Sequence, residues 1–383
     1  MNFNETCAQE ALVREAKEFV QKNNLSKSQE SCGAAMHRRC WDLFAVAGYC
    51  GMPLPETDGG GGIGLMDSML VFETLAVAGV DIGLLFSLGV HQFAAAVPLA
   101  LAGTDAQKSK WLATMARGEA IGALAVSEAD AGADSYAMQA RAVETDEGFT
   151  ITGEKLWISN APIADLILVC ARTDDLPGAF GISCFLVTAD ADGVSVANGP
   201  VKAGLRNAPW GTVRLDQVHV SDDDMLGGRG GGGAVFGECM RWERCGLFAI
   251  ALGAMQRGLE DCVARVRNRQ QFGGALIDND VVAKSVALMK TRLDAARLLL
   301  YRAAATIDDG KADEASISLA KAYVSESAIA NALAAQELYG ALGITAEHDA
   351  SALLNDMLPF RVLSGPNDVH YKIASRLIFR GAR

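Results

Sequence analysis

The apolar residues of this chain change period twice, and that double switch limits what the chain can fold into. Up to about residue 122 they recur at helical spacing, as in Ala11 and Phe19, in Trp41, Leu43 and Phe44, and in Met69, Val71, Phe72 and Leu75. From about 123 to 226 short β-rich runs replace them: Ile167-Leu168-Val169, residues 182–187, Val194-Ser195-Val196 and residues 213–220. Turn signals separate these runs at Asp146-Glu147-Gly148, Asp192-Gly193 and Asn198-Gly199-Pro200. Gly227-Gly228-Arg229-Gly230-Gly231-Gly232-Gly233 then reads as a flexible joint. Helical spacing returns from about 234. Phe248, Leu252, Met255 and Leu259 form one apolar stripe, residues 281–305 are apolar on one side, and further helices follow over 319–338 and 368–379. The expected architecture is α+β and multidomain: a helical domain over 1–122, a compact antiparallel β domain over 123–233, and a helical bundle over 234–383.

The chain's 383 residues suffice for two or three domains with large cores, and half of them are hydrophobic. No apolar core of signal-peptide length opens the chain, and no uninterrupted apolar stretch reaches about 18 residues. The expectation is a cytoplasmic protein with no membrane partner. Nine scattered cysteines, none as CxxC, read as buried free thiols. His37 and Cys40 are one helical turn apart, but no second pair follows, so no metal is expected. Asp58-Gly59-Gly60-Gly61-Gly62 is a loop; it lacks the preceding strand and the Gly-Lys-Ser/Thr of a phosphate loop. The net charge of −12 argues against nucleic acid. Residues 229–302 nevertheless hold twelve Lys/Arg against seven Asp/Glu, which suggests a surface that meets an anion.

Four motifs carry chemistry. Leu124-Ala125-Val126-Ser127-Glu128-Ala129-Asp130-Ala131-Gly132-Ala133-Asp134 and Ile151-Thr152-Gly153-Glu154-Lys155-Leu156-Trp157-Ile158-Ser159-Asn160-Ala161 resemble the flavin-contact loops of acyl-CoA dehydrogenases. Arg267-Asn268-Arg269-Gln270-Gln271-Phe272-Gly273 resembles that family's ERxxFG, and Glu337-Leu338-Tyr339-Gly340-Ala341-Leu342-Gly343 its QxxGGxG. The helical, β, helical order agrees, so the resemblance runs through nearly the whole chain. It implies non-covalent FAD held by Val126, Ser127, Ala133, Trp157, Ile158, Ser159, Arg269, Phe272, Glu337, Gly340 and Ala341. It also implies a homo-oligomer, a tetramer built as a pair of dimers, in which Arg269 reaches the neighbour's pyrophosphate. The residues suit a flavin independently of the resemblance. Trp157 offers a flat apolar face and Ser159 a hydrogen-bonding group, two residues apart and hence on one side of a strand.

The resemblance also implies α,β-dehydrogenation of an acyl thioester, with the α hydrogen leaving as a proton and the β hydrogen as a hydride. That proton needs a carboxylate whose pKa is raised toward neutrality. Most of the family places this glutamate in a C-terminal Tyr-Glu-Gly-Thr, but here the run is Leu363-Ser364-Gly365-Pro366. A second family solution puts it on an earlier helix just before an arginine, and Arg241-Trp242-Glu243-Arg244 stands at that point. Leu247, Ile250 and Ala254 follow Glu243 on one helix face, where burial raises a carboxylate's pKa. Glu243 is therefore the expected base. The Ser364 N–H is expected to meet the thioester oxygen, and Arg241, Arg244 and Gly365 are expected to line the substrate path.

The departures are Ala133 for serine, Glu337 for glutamine, Ala341 for glycine, Asp280 for glutamine, Pro366 for threonine and Arg241 for aspartate. Trp242-Glu243-Arg244, Ser364 and Val90-His91-Gln92-Phe93-Ala94 together look similar to prolyl-carrier-protein dehydrogenases of secondary metabolism. The expected substrate is an aminoacyl (prolyl) thioester on an acidic carrier protein. A short branched-chain acyl-CoA dehydrogenase and a catalytically idle flavin-binding partner protein are the alternatives. An electron-transfer flavoprotein and oxygen both remain open as electron acceptors.

Overall fold

The computed structural model describes residues 5–27, 34–346 and 348–381. The N-terminal part is helical: α1 (Cys7–Asn23), α2 (Ala34–Val46), α3 (Leu65–Val77), α4 (Ile82–Gly89), α5 (Val97–Ala102) and α6 (Asp105–Ala116). Reciprocal capping boxes open α1, between Thr6 and Gln9, and α6, between Thr104 and Gln107. A π-helical turn over Val90–Ala96 joins α4 to α5, so Ile82–Ala102 is one helical run. It is long and apolar enough to cross a membrane, but its most apolar stretch is 89% buried inside the protein, as befits a core helix. His91 in the π turn ties this run to the next domain. Its Nδ1 accepts from the Gly122 N–H at 3.0 Å and its Nε2 lies 3.1 Å from the Met115 carbonyl.

The middle part is an eight-stranded sheet built from β1 (Gly122–Ala125), β2 (Arg141–Thr145), β3 (Gly148–Ser159), β4 (Leu166–Arg172), β5 (Ile182–Thr188), β6 (Val194–Asn198), β7 (Trp210–Val220) and β8 (Met225–Leu226). The order is β6-β7-β3-β2-β4-β5-β8, with β1 beside β4. The four β-rich runs all lie in strands. The sheet is mixed, however, rather than antiparallel: β1 and β2 each pair parallel with β4. β1 arrives from α6 and is followed by a long crossing loop, so no hairpin forces it antiparallel.

The glycine run is packed rather than a loose joint. Gly230 N–H donates to Ser183 Oγ at 2.9 Å, and Gly232 and Gly233 already lie buried at the start of α7 (Gly232–Asn268). A Cβ on Gly232 would sit 2.6 Å from the Ser183 carbonyl carbon, so glycine here permits close approach of helix and strand. α7 packs with α8 (Asp280–Asp308), α9 (Glu314–Tyr339) and, through α9, α11 (Asn367–Gly381); a short α10 (Asp349–Met357) precedes α11. Phe248, Leu252, Met255 and Leu259 are buried, but so is every residue from Cys245 to Met255, because α3 covers one flank of α7 while α8 and α9 cover the others. The helix is central, not one-sided. Between α7 and α8 a small hairpin, β9 (Gln270–Gln271) with β10 (Gly274–Ala275), turns through Phe272 and Gly273 at positive φ.

Candidate active site

The site begins where α7 crosses the π turn. A Cβ on Gly246 would lie 2.3 Å from the Phe93 ring, so glycine lets the two helices touch. Phe93 also packs near Trp242, with ring centroids 6.3 Å apart. One turn before this contact, Glu243 is only 8% exposed, and Leu247, Ile250 and Ala254 on its face are all buried. Burial raises its pKa to about 7, against the opposing effects of a Ser364 hydrogen bond and the Arg244 charge. Arg244 follows it in the chain, but its ion pair runs to Glu314 at 3.8 Å.

The partner of Glu243 is the turn between α10 and α11. Ser364 Oγ donates to Glu243 Oε2 at 3.1 Å. Ser364 has φ +51°, a left-handed conformation that costs a non-glycine residue energy and needs support. Three side chains supply it. Arg244 Nε lies 3.3 Å from the Ser364 carbonyl, and His370 Nε2 lies 3.1 Å from both the Ser364 and Gly365 carbonyls. Lys321 Nζ donates to the Gly365 carbonyl and to Asn367 Oδ1, each at 2.8 Å. Lys321 is fully buried, and burial together with Arg244 and Arg361 lowers its pKa to about 7. Burial, Arg244 and Lys321 push His370 down to about 3, which keeps its imidazole neutral.

A second group of residues lies on the β domain. Lys155 of β3, with no exposed surface, donates to Glu128 Oε1 at 2.8 Å and to the Val126 carbonyl at 3.0 Å. Glu128 accepts in addition from the Gln139 and Ala140 N–H groups. Burial alone would raise the Glu128 carboxyl, but the Gln139 N–H, Lys155 and the Ala140 N–H hold it below the usual carboxylate range. This pair pins the loop after β1 to β3, and the Leu156 N–H to Ser127 carbonyl bond at 2.9 Å completes the seam. Trp157 has φ +62° at a bulge, which is why Lys155 and Ile158, three apart, are both buried. Beyond the bulge alternation resumes, leaving Trp157 52% exposed and Ser159 half-buried on the face opposite Ile158. The next residue, Asn160 at φ +65°, is buried and bonds Ser87 and the Gly122 carbonyl. The loop after Ser127 reaches α7 through Tyr136, whose ring meets Phe236 edge-on at 6.4 Å.

A third group lies at the far end of α7. Arg269 and Phe272 are exposed, Phe272 to 93%, on the β9–β10 hairpin. Glu337, Gly340 and Ala341 are exposed at the end of α9. Arg265 joins the two ends by donating to the Leu338 and Tyr339 carbonyls. Gly340 has φ +62° with open space where a Cβ would be, so its backbone is free for close approach by a ligand.

Glu243, Ser364, Gly365 and Arg244 thus converge, while the expected flavin contacts divide between the β domain and the far end of the bundle. The structure gives the surroundings of three further expectations. The Val126 and Ile158 side chains are buried in the core, so only their backbone could meet a cofactor, and Lys155 already takes the Val126 carbonyl. Arg241 is tied to Glu238 and Glu314 of its own chain, because both carboxylates lie within its reach on α7 and α9. The basic segment does not stand free either, since Arg229, Arg257, Lys290 and Arg297 also pair with carboxylates. Of the nine cysteines, Cys7 is exposed, Cys32 lies outside the described residues, and the other seven are buried free thiols. No group of three or more His, Cys, Asp or Glu among the described residues could hold a metal. Sequence reasoning missed the Ser364 hydroxyl, Lys155, Glu128 and Lys321. The one available signal was a lysine set in an apolar helical run, Ser318-Leu319-Ala320-Lys321-Ala322-Tyr323-Val324.

The residues present fit FAD. A half-exposed tryptophan beside a serine suits the ring, and the exposed Arg269 guanidinium suits a phosphate. Comparison with known proteins agrees. Models of the acyl-CoA dehydrogenase N-terminal, middle and C-terminal domains match residues 6–119, 123–218 and 230–379. An L-prolyl peptidyl-carrier-protein dehydrogenase of Pseudomonas fluorescens is 36% identical over 88% of this chain and 89% of its own. The mitochondrial isovaleryl-CoA dehydrogenase of Oryza sativa subsp. japonica is 32% identical over 89% of this chain and 83% of its own. The solved structure of PigA with FAD and proline superposes with a TM-score of 0.93 at 33% identity, covering 99% of each chain.

Proposed function

The chain belongs to the acyl-CoA dehydrogenase family, and on that premise we propose that it uses FAD to oxidise a prolyl thioester carried on a peptidyl-carrier protein. The observation that carries the chemistry is Glu243, a buried carboxylate poised near neutral pH beside a turn from which the family's usual glutamate is absent. The prolyl relative and the PigA structure support the substrate. A buried carboxylate so placed also favours an enzyme over an idle flavin-binding protein.

In the proposed mechanism, the thioester enters between α7 and the turn holding Ser364. The Ser364 N–H donates to the thioester oxygen as charge develops there. Glu243 takes the α proton, and burial makes its carboxylate a strong enough base to do so near pH 7. FAD, which Trp157 and Ser159 would hold against the β domain, would supply the two-electron acceptor that the β hydrogen needs. Trp157 and Ser159 orient the flavin ring from the β domain. Arg269 and Phe272, on an exposed hairpin, are suited to reach a neighbouring subunit's FAD, and a homotetramer is the proposed assembly. Buried unpaired thiols suit a reducing compartment, and the cytoplasm is the proposed location.

Anaerobic mixing separates the substrates. Prolyl-carrier protein should bleach the flavin absorbance of the purified protein, and isovaleryl-CoA should bleach it far more slowly. Faster bleaching by isovaleryl-CoA would overturn the carrier-protein assignment.

A further inference from the structure

Ser364 stands where most of the family keeps its base, yet its hydroxyl points at the replacement. Ser364 Oγ lies 3.1 Å from Glu243 Oε2 and can only donate to an ionised carboxylate. Arg244 on α7 and His370 on α11 donate to the carbonyl of Ser364, which has φ +51°, and Lys321 on α9 donates to the next carbonyl, that of Gly365. Three elements therefore converge to present one hydroxyl to one carboxylate oxygen. Resting on the assignment of Glu243 as the base, we propose that Ser364 is its positioning residue: the hydroxyl anchors Oε2, and Oε1 is left to receive the α proton. In that transfer the α C–H bond breaks, an O–H bond forms at Oε1, and the electron pair stays on the substrate. The hydroxyl also favours the ionised base, offsetting part of the effect of burial. The other ionisable groups around the pair are Arg244 and Cys239 on α7, Lys321 and Glu314 on α9, His370 on α11, and Tyr136 beside Arg244.

Ser364→Gly removes the hydroxyl without backbone strain, because glycine adopts positive φ freely; Ser364→Ala removes it with some strain. Two readouts apply to the FAD-loaded protein and its FAD-free form. The first is the acid limb of anaerobic flavin reduction by prolyl-carrier protein. The second is the pH midpoint of the carboxylic-acid infrared band that Glu243→Gln lacks, measured without FAD. Both variants should raise both midpoints by about one pH unit, the effect of losing one hydrogen bond to a charged group. An unmoved midpoint in Ser364→Gly, or a shift in Ser364→Ala alone, would overturn the proposal. Glu243→Gln separates the two levels. If it abolishes flavin reduction while Ser364→Gly moves nothing, only the positioning role fails. If it reduces its flavin at close to the wild-type rate, the base assignment fails and the positioning role falls with it.

Discussion

Lys155 and Glu243 are both buried ionisable side chains, and their surroundings send them to different uses. Lys155 meets a carboxylate, two further N–H donors complete that carboxylate, and the cluster is a clasp between β3 and the loop after β1. Glu243 accepts a hydrogen bond from a neutral hydroxyl and feels the Arg244 charge, yet burial still holds its pKa up at about 7, which suits the proposed base. Breaking a buried pair strands a charge, so Lys155→Met should cost about 3–5 kcal/mol, read as a lowered unfolding temperature, and should weaken FAD retention. Lys155→Met with Glu128→Leu should recover part of that stability, because the stranded charge is gone. The burial of Glu243 was legible in the sequence because that glutamate heads an apolar helix face. The Lys155–Glu128 pair was not, since its members are far apart in the chain and either could equally have faced solvent.

Among the elements, the crossing of α7 over the π turn sets the position of Glu243, the proposed base. Gly246→Ala would drive a methyl into the Phe93 ring, and overpacking of this kind costs about 1–3 kcal/mol. The strain falls one turn from Glu243, so flavin reduction should slow more than the drop in melting temperature alone implies. Stopped-flow and thermal unfolding of the same variant check this. The long helices and four of the sheet's eight strands, β4 to β7, were legible from their periods, which record which face is buried. Strand direction was not, because alternation is the same whether β1 meets β4 parallel or antiparallel. The glycine run misled for a related reason: composition suggests freedom, but the absence of Cβ atoms also permits close packing, and the contacts decide.

Across the whole molecule, the proposed flavin residues fall into two groups that one chain presents on separate domains. A hairpin carrying Arg269 and a 93% exposed Phe272 makes sense if it completes a neighbour's site. Arg269→Glu should therefore lose FAD on gel filtration while light scattering and circular dichroism still report a folded assembly. Retention of full FAD by that variant would detach Arg269 from the cofactor. The charge count along the chain was a weaker guide at this scale. It found an excess of cations between 229 and 302, but several of them pair with carboxylates that the sequence could not place beside them. The outline of the site was legible in the sequence because motifs mark its loops; its electrostatics emerged only once distant residues were brought together.

The proposed base, Glu243, is tested most directly by the rate of anaerobic flavin reduction in Glu243→Gln, which keeps the side chain's shape and removes only its capacity to take a proton. With FAD bound and the fold intact, reduction by prolyl-carrier protein should fall by at least about 10²–10⁴-fold. Reduction at close to the wild-type rate would contradict the account.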